Sequence, residues 1–151
     1  MSAEKPTVLF LCADNSVRSQ LAEALLRHRC GDLYDSCSAG LAPKPVHPMV
    51  GTVLREVGVD PDGLTPKPIG PFLGRRAVRH AFILRAADET EAPRIFPFAT
   101  QTVRWDIADP TSDASLQEDL AALRRTRDDI DGRLGSWLAS RQTHDLRDSA
   151  A

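Results

Sequence analysis

The sequence predicts an α/β domain with three layers, in which helices flank both faces of a four-stranded parallel sheet. Short apolar segments of strand length alternate with segments of helical periodicity, a pattern typical of such sheets. The 151 residues suffice for one ordinary domain, and 42% of them are hydrophobic, as in globular chains. We therefore expect a single domain over residues 1–151, with a flexible polar tail from about residue 140.

The predicted elements follow one another in alternation. The first strand, Thr7–Cys12, is a nearly continuous apolar run, as expected of a strand buried on both faces. A polar loop leads into a helix at Arg18–Arg29, whose apolar residues share one face. The later predicted elements are a strand at Tyr34–Ala39, a helix at Pro48–Val57, strands at Ala81–Leu84 and Thr102–Ile107, and a helix with an apolar stripe from Leu116 to Leu138, interrupted by Arg127.

Charge and aromatic content argue against several classes of function. Nineteen basic and twenty-one acidic residues give a net charge of −2, and only 5% of residues are aromatic, so neither an electrostatic footprint nor a stacking platform for nucleic acid is expected. No apolar run has the length of a membrane span or the pattern of a signal peptide. We expect a cytoplasmic protein without a nucleic-acid or membrane partner.

The chain has three cysteines, and one of them is the candidate reactive thiol. An odd number without a secretory signal argues against a disulfide framework. Cys30 and Cys37 are interpreted as small packing residues, and together with His28 they offer too few ligands for a metal, so no metal site is expected. Cys12 ends the first strand, where loops of parallel sheets bind ligands.

Five loop residues separate Cys12 from Arg18, which is followed by Ser19. Such a loop directs successive backbone N–H groups to one point above the sulfur and leads into a helix N-terminus, whose dipole favours an anion. The same field favours a thiolate at Cys12, and the Arg18 fork suits two oxygens of a tetrahedral oxyanion. Asn15 tolerates the left-handed backbone of a tight loop. The predicted oxyanion-binding residues are Ala13, Asp14, Asn15, Ser16, Val17, Arg18 and Ser19.

The segment Val8–Glu23 (VLFLCADNSVRSQLAE) resembles the opening of the low-molecular-weight protein tyrosine phosphatase superfamily, which includes the thiol-coupled arsenate reductases. The resemblance continues through Ser38-Ala39-Gly40 and Pro43–Pro48 to Trp105–Pro110 (WDIADP), and so covers most of the chain. It implies that Cys12 is the nucleophile, Arg18 the oxyanion clamp and Asp109 the general acid that protonates the departing oxygen.

The resemblance leaves three functions open. Gln20 after Ser19 is typical of the reductases, since the phosphatases usually have proline there. Thr111-Ser112-Asp113 stands where phosphatases place aromatic residues that wall a phosphotyrosine ring. Reduction of arsenate is therefore the preferred hypothesis, and hydrolysis of phosphate esters through a cysteinyl phosphate is the alternative. A third is a non-catalytic, oxyanion-binding regulatory protein.

Many reductases of the family carry resolving cysteines just after the third strand, but Arg85–Pro93 (RAADETEAP) has none. The resemblance then implies a second thiol from outside: glutathione, mycothiol or a small redox protein, with no cofactor bound. The substrate would be a small oxyanion, arsenate or a phosphate ester.

Other positions depart from the family pattern. Asp14 stands where glycine is usual and brings a carboxylate to the rim of the anion site. Some reductases bind potassium beside the loop; Asn15, Glu23 and Ser38 match that site, but Lys67 stands in place of its acid. We expect no potassium here, with the Lys67 ammonium filling the gap. The cluster Arg75, Arg76, Arg79 and His80 is interpreted as a solvated basic face.

Overall fold

In the computed structural model, the four strands form one parallel sheet in the order β2-β1-β3-β4. The structure describes residues 5–74, 76–90, 93–111 and 115–150, with side chains except at 116 and 142–150. The elements are β1 (Thr7–Cys12), α1 (Arg18–Cys30), β2 (Asp35–Gly40), α2 (Pro48–Arg55), a 3₁₀ helix (Gly70–Phe72), β3 (Val78–Arg85), β4 (Ala99–Asp106) and α3 (Leu116–Ala150). The predicted α/β class with a four-stranded parallel sheet is confirmed.

The two faces of the sheet are covered differently. Side chains alternate along β1, and Val8, Phe10 and Cys12 point to the face on which α1, α2 and α3 pack. Leu9 and Leu11 point to the other face, where they pack in one cluster with residues of the 3₁₀ helix and the segment before β4. In the described part of the chain, the layer on this second face consists of a 3₁₀ helix and loops rather than α-helix.

Arg127, which interrupts the apolar stripe of α3, is buried and contributes to packing. Leu123, Ile130 and Leu134 of the stripe are fully buried. Beside them, Arg127 Nη1 donates to the Val53 carbonyl and to the Glu56 carboxylate, both at 2.8 Å. The guanidinium thereby joins α3 to the C-terminal end of α2.

Helix α3 continues to Ala150, past the end predicted near residue 140. The segment after Gly135 contains no glycine or proline that would stop a helix, so the helix can continue into the polar sequence. The flexibility expected of this tail stays a prediction. No described helix combines the length and the apolar character that a membrane span requires.

Because the strands are parallel, their carboxyl ends lie at one edge of the sheet. A loop leaves that edge after each strand, and the three that carry the candidate site are 13–17 after β1, 86–90 after β3 and 107–109 after β4. The β3 and β4 ends are joined there by a hydrogen bond from Ile107 N–H to the Arg85 carbonyl, at 3.2 Å. The candidate nucleophile, the candidate clamp and the candidate general acid therefore come to the same edge.

Candidate active site

The candidate active site is built around the loop between β1 and α1. Three of its five carbonyl oxygens, those of Ala13, Asp14 and Ser16, accept hydrogen bonds from N–H groups of the segment after β2. These bonds are Ala42 N–H to Ala13 O (3.0 Å), Lys44 N–H to Asp14 O (2.9 Å) and His47 N–H to Ser16 O (3.0 Å). With these carbonyls turned away, the N–H groups of Asn15 and Ser19 face the sulfur of Cys12. The loop thus presents the positive ends of backbone dipoles to the thiol.

Cys12 is fully buried, and its sulfur lies 2.8 Å from Ser19 Oγ. Burial raises the pKa of the Cys12 thiol above its ordinary value, although the Ser19 hydroxyl, the Arg18 charge and two backbone N–H groups act to lower it. The expectation of a thiolate at neutral pH is therefore corrected for the ligand-free protein. The sequence showed the groups that favour the thiolate but not the complete burial of the sulfur.

Asn15 shapes the loop with both its backbone and its side chain. Its φ of 56° lies in the left-handed region, as the sequence predicted. Its Nδ2 donates to Ser19 Oγ at 2.7 Å and to Ser38 Oγ at 3.0 Å, and its Oδ1 accepts from Lys67 N–H at 2.8 Å. One buried amide therefore connects the loop, the start of α1, β2 and the segment that precedes the 3₁₀ helix.

Gly40, the last residue of β2, lies directly beneath this loop. A Cβ atom at Gly40 would lie 2.8 Å from the Asn15 backbone nitrogen and 2.9 Å from the Asp14 carbonyl carbon. Both are main-chain atoms that cannot rotate away. The close approach of loop and strand thus requires glycine at this position.

An ion pair lies behind the loop. The Glu23 carboxylate is 3% exposed and accepts a hydrogen bond from Ser38 Oγ at 2.9 Å. Lys67 Nζ lies 3.1 Å from Glu23 Oε1 and donates to the Thr65 carbonyl at 2.9 Å, while Arg27 binds the other carboxylate oxygen at 2.7 Å. The Lys67 ammonium thus occupies the position beside Glu23 that the sequence suggested for it.

Arg18 reaches across the sheet edge to the loop after β3. Its guanidinium is 2% exposed, and its Nη1 and Nη2 donate to the two carboxylate oxygens of Glu89, at 2.6 and 2.9 Å. Nη1 also donates to the Ile107 carbonyl at 3.1 Å. Burial opposes the ionisation of Glu89, but the hydrogen bonds and charge of Arg18 hold the pKa of Glu89 below its usual value. The charge of Arg18 is thus already paired in the ligand-free protein.

Glu89 is the site residue that sequence reasoning missed. The lack of cysteines in Arg85–Pro93 bears on the redox mechanism, but the acidic residues of that segment received no predicted role. The available signal was topological: an acidic residue leaves the carboxyl end of a parallel strand, where Arg18 was also expected.

The two aspartates of the predicted site line the same cavity, of about 580 Å³, together with Glu89. Asp109 Oδ1 accepts hydrogen bonds from the N–H and the hydroxyl of Thr111, at 3.0 and 2.7 Å. Asp14 Oδ1 accepts from the N–H and the hydroxyl of Ser16, at 3.1 and 2.7 Å. The Asp14 carboxylate is therefore bonded back onto the loop. Residues 111–113 stand where the phosphatases have an aromatic wall. Of these, 112–113 lie outside the part of the chain that the structure describes.

Burial lowers the pKa of Arg18, whereas Glu89, Cys12 and Asp109 together raise it above its ordinary value. Because Glu89, Cys12 and Asp109 all act electrostatically on the Arg18 guanidinium, all three lie near it. The structure therefore brings together the three residues that the resemblance assigned to catalysis.

The other two cysteines lie far from Cys12. Cys37 pairs with Leu9, roughly 10 Å along the strand from Cys12, and packs on the opposite face of the sheet. Cys30 ends α1, roughly 18 Å along the helix axis from Arg18. All three thiols are free, and the described residues contain no group of three or more His, Cys, Asp or Glu side chains placed to hold a metal ion. Neither cysteine can reach Cys12 without a rearrangement of the fold.

Comparison with known proteins gives consistent matches. The sequence model of the low molecular weight phosphotyrosine protein phosphatase family matches residues 7–147. An arsenate reductase of Halalkalibacterium halodurans is 33% identical over 135 residues, 88% of this chain and 95% of that protein. A solved structure of an arsenate reductase in the phosphate binding state superimposes with a TM-score of 0.74 at 26% identity, over 89% of this chain and 98% of that one. The structure of a thioredoxin-dependent arsenate reductase of Corynebacterium glutamicum superimposes with a TM-score of 0.71 at 28% identity. The match covers 95% of this chain and 65% of the longer Corynebacterium chain.

Proposed function

The chain belongs to the low molecular weight phosphotyrosine protein phosphatase family, and from that premise we propose that it is an arsenate reductase that uses Cys12 as nucleophile and an external thiol as its second reductant. The observation that carries the proposal is the position of the Cys12 sulfur beneath a loop of inward N–H groups and beside Arg18, with Cys30 and Cys37 out of reach. The arsenate reductase relatives support this choice of substrate.

In the first step, arsenate binds to the loop N–H groups and to Arg18. The raised pKa of Cys12 means that the thiol must lose its proton as the oxyanion binds, and a bound dianion is a suitable acceptor for it. The sulfur then attacks arsenic in line as an arsenic–oxygen bond breaks. Asp109 protonates the departing oxygen, which leaves as water.

In the second step, an external thiol attacks the Cys12 sulfur. The sulfur–sulfur bond forms as the sulfur–arsenic bond breaks, and the electron pair leaves with arsenic. Arsenic(V) is thereby reduced to arsenic(III), and two thiols are oxidised to one disulfide between Cys12 and the external thiol. Glutathione, mycothiol and a small redox protein are the candidate reductants, and a cytoplasmic location, which would keep such thiols reduced, stays a prediction.

The alternative function is hydrolysis of phosphate esters with the same three residues, because the family also includes phosphatases. In that reaction water, rather than a thiol, attacks the intermediate. The third hypothesis, a non-catalytic oxyanion-binding protein, gains no support from the three relatives described above, each of which bears the name of an enzyme.

The deciding experiment compares both activities in one preparation. Arsenite formation from arsenate is measured in three separate thiol systems: glutathione with glutaredoxin, mycothiol with mycoredoxin, and thioredoxin with its reductase. Hydrolysis of an aryl phosphate is measured in parallel. The proposal predicts arsenite formation with at least one thiol system, and its loss in Asp109→Asn with phosphate binding retained. Aryl phosphate hydrolysis without arsenite formation in any system would instead establish the phosphatase.

A further inference from the structure

We propose that Glu89 is a positioning residue for the oxyanion: it holds the Arg18 guanidinium so that the edge still free for hydrogen bonding faces the bound substrate. The inference rests on the proposed function in so far as an oxyanion binds at Arg18. It assigns a role to the loop after β3, the segment in which the resolving cysteines of other reductases were expected.

The number of donors on Arg18 supports this role. A guanidinium has five N–H donors in one plane. Glu89 accepts one from Nη1 and one from Nη2, and the Ile107 carbonyl accepts the second from Nη1. Among the described residues, no acceptor is bonded to Nε–H or to the second Nη2–H. These two donors lie on the same edge of the plane, where their spacing matches two oxygens of a tetrahedral anion.

The Glu89 carboxylate is itself held in place. Glu89 Oε1 accepts a hydrogen bond from the Ala86 N–H at 3.2 Å, and the backbone N–H of Glu89 donates to the Ala86 carbonyl at 3.2 Å. The buried Arg85 side chain, at the end of β3, also donates to the Glu89 carbonyl. The carboxylate therefore extends from a closed turn fixed to the sheet, which is what a rigid support for Arg18 requires.

A competing role would give the opposite result. If the Glu89 carboxylate occupies the site of the oxyanion, or only repels it by charge, its removal must strengthen oxyanion binding. If Glu89 positions Arg18, its removal must weaken binding, because the guanidinium loses the partner that fixes its orientation. The sign of the change in affinity decides between the two.

The experiment is calorimetric titration of the full chain with inorganic phosphate and with arsenate. Glu89→Gln keeps the size of the side chain and removes the charge, and we expect it to weaken binding by about 10- to 100-fold. Asp88→Asn is the matched control: it removes the same charge from the same loop and cavity, and Asp88 makes no described hydrogen bond to Arg18. We expect binding in the control to be unchanged or slightly tighter.

Two further measurements separate positioning from misfolding. The Glu89→Gln variant should raise the KM for arsenate while its circular dichroism spectrum and thermal unfolding stay as in the wild type. In an Arg18→Lys background, Glu89→Gln should have little further effect, because the fork it positions is gone. Equal or tighter phosphate binding by Glu89→Gln would overturn the inference. If the wild type itself binds neither anion, the proposed function fails first.

Discussion

The Cys12 sulfur lies 2.8 Å from Ser19 Oγ, at the point where β1 ends and α1 begins. The same hydroxyl accepts a hydrogen bond from Asn15 Nδ2 at 2.7 Å. Either group can donate in this contact while Cys12 is a thiol, but once the sulfur is ionised it has no proton and only the Ser19 hydroxyl can donate. Ser19 therefore stabilises the thiolate, in opposition to the burial that raises the pKa of Cys12.

This geometry predicts that Ser19→Ala raises the pKa of Cys12 still further. The measurement is the pH dependence of Cys12 alkylation, whose midpoint should move to higher pH than in the wild type. Ser36→Ala is the control, since this hydroxyl donates to the Glu23 carbonyl and not to the sulfur. An unchanged or lower midpoint in Ser19→Ala would show that the hydroxyl does not donate to Cys12.

Gly40→Ala should destabilise the fold and weaken phosphate binding together. The added Cβ meets the main chain of the loop, and overpacking of this kind costs roughly 1–3 kcal/mol in the free energy of unfolding. In Gly132→Ala, where the Cβ meets nothing within 4 Å, stability should instead rise by up to about 1 kcal/mol, because alanine favours the helix. Denaturant unfolding and phosphate titration of both variants check this, and normal phosphate binding by Gly40→Ala would contradict it.

Lys67→Met should make the protein sensitive to potassium. The buried Glu23 carboxylate would lose its neighbouring ammonium and keep Arg27 and the Ser38 hydroxyl, at an expected cost of roughly 1–2 kcal/mol of stability. The vacated position is bordered by the oxygens of Glu23 and Thr65, which are ligands for a hard cation. Thermal unfolding should show a higher Tm in potassium chloride than in sodium chloride for the variant alone. Equal melting in both salts would refute this account of Lys67.

His80 should make the fold less stable in mildly acidic solution. The sequence suggests that it belongs to a solvated basic face, but it is buried and packs against the rings of Tyr34 and Trp137. Burial, together with the charges of Arg141 and Arg79, lowers the pKa of His80 from 6.5, although a hydrogen bond to Gln101 opposes this. The unfolded chain therefore binds a proton that the folded chain rejects, and stability falls as the pH drops below about 6.5.

Urea unfolding at about pH 7.5 and about pH 5.5 measures this loss. In His80→Phe, which cannot titrate, the difference between the two pH values should be smaller than in the wild type. A difference as large as in the wild type would assign the acid sensitivity to other groups.

The sequence predicted the local structure of the loop, and the resemblance suggested Lys67 beside Glu23, but the long-range bonds of Arg18 and Arg127 were missed. The loop from Cys12 to Ser19 was predicted with its left-handed Asn15, because an apolar strand, a polar loop and a helix follow one another directly. The bond from Arg18 to Glu89 joins residues 71 positions apart, and that from Arg127 to Val53 joins residues 74 apart. Such contacts depend on strand order, which a single sequence does not show. The raised pKa of Cys12 likewise depends on burial, which arises from packing between distant parts of the chain.

The central claim is that Cys12 forms a disulfide with a thiol from outside the chain during arsenate reduction. Mass spectrometry of the protein after incubation with arsenate and glutathione or mycothiol, without the redoxin that would reduce the product, tests it most directly. We predict a mixed disulfide at Cys12 that requires arsenate, accompanies arsenite release and is absent from Cys12→Ser. Arsenite formation by Cys12→Ser, or an internal disulfide that joins Cys12 to Cys30 or Cys37, would contradict the account.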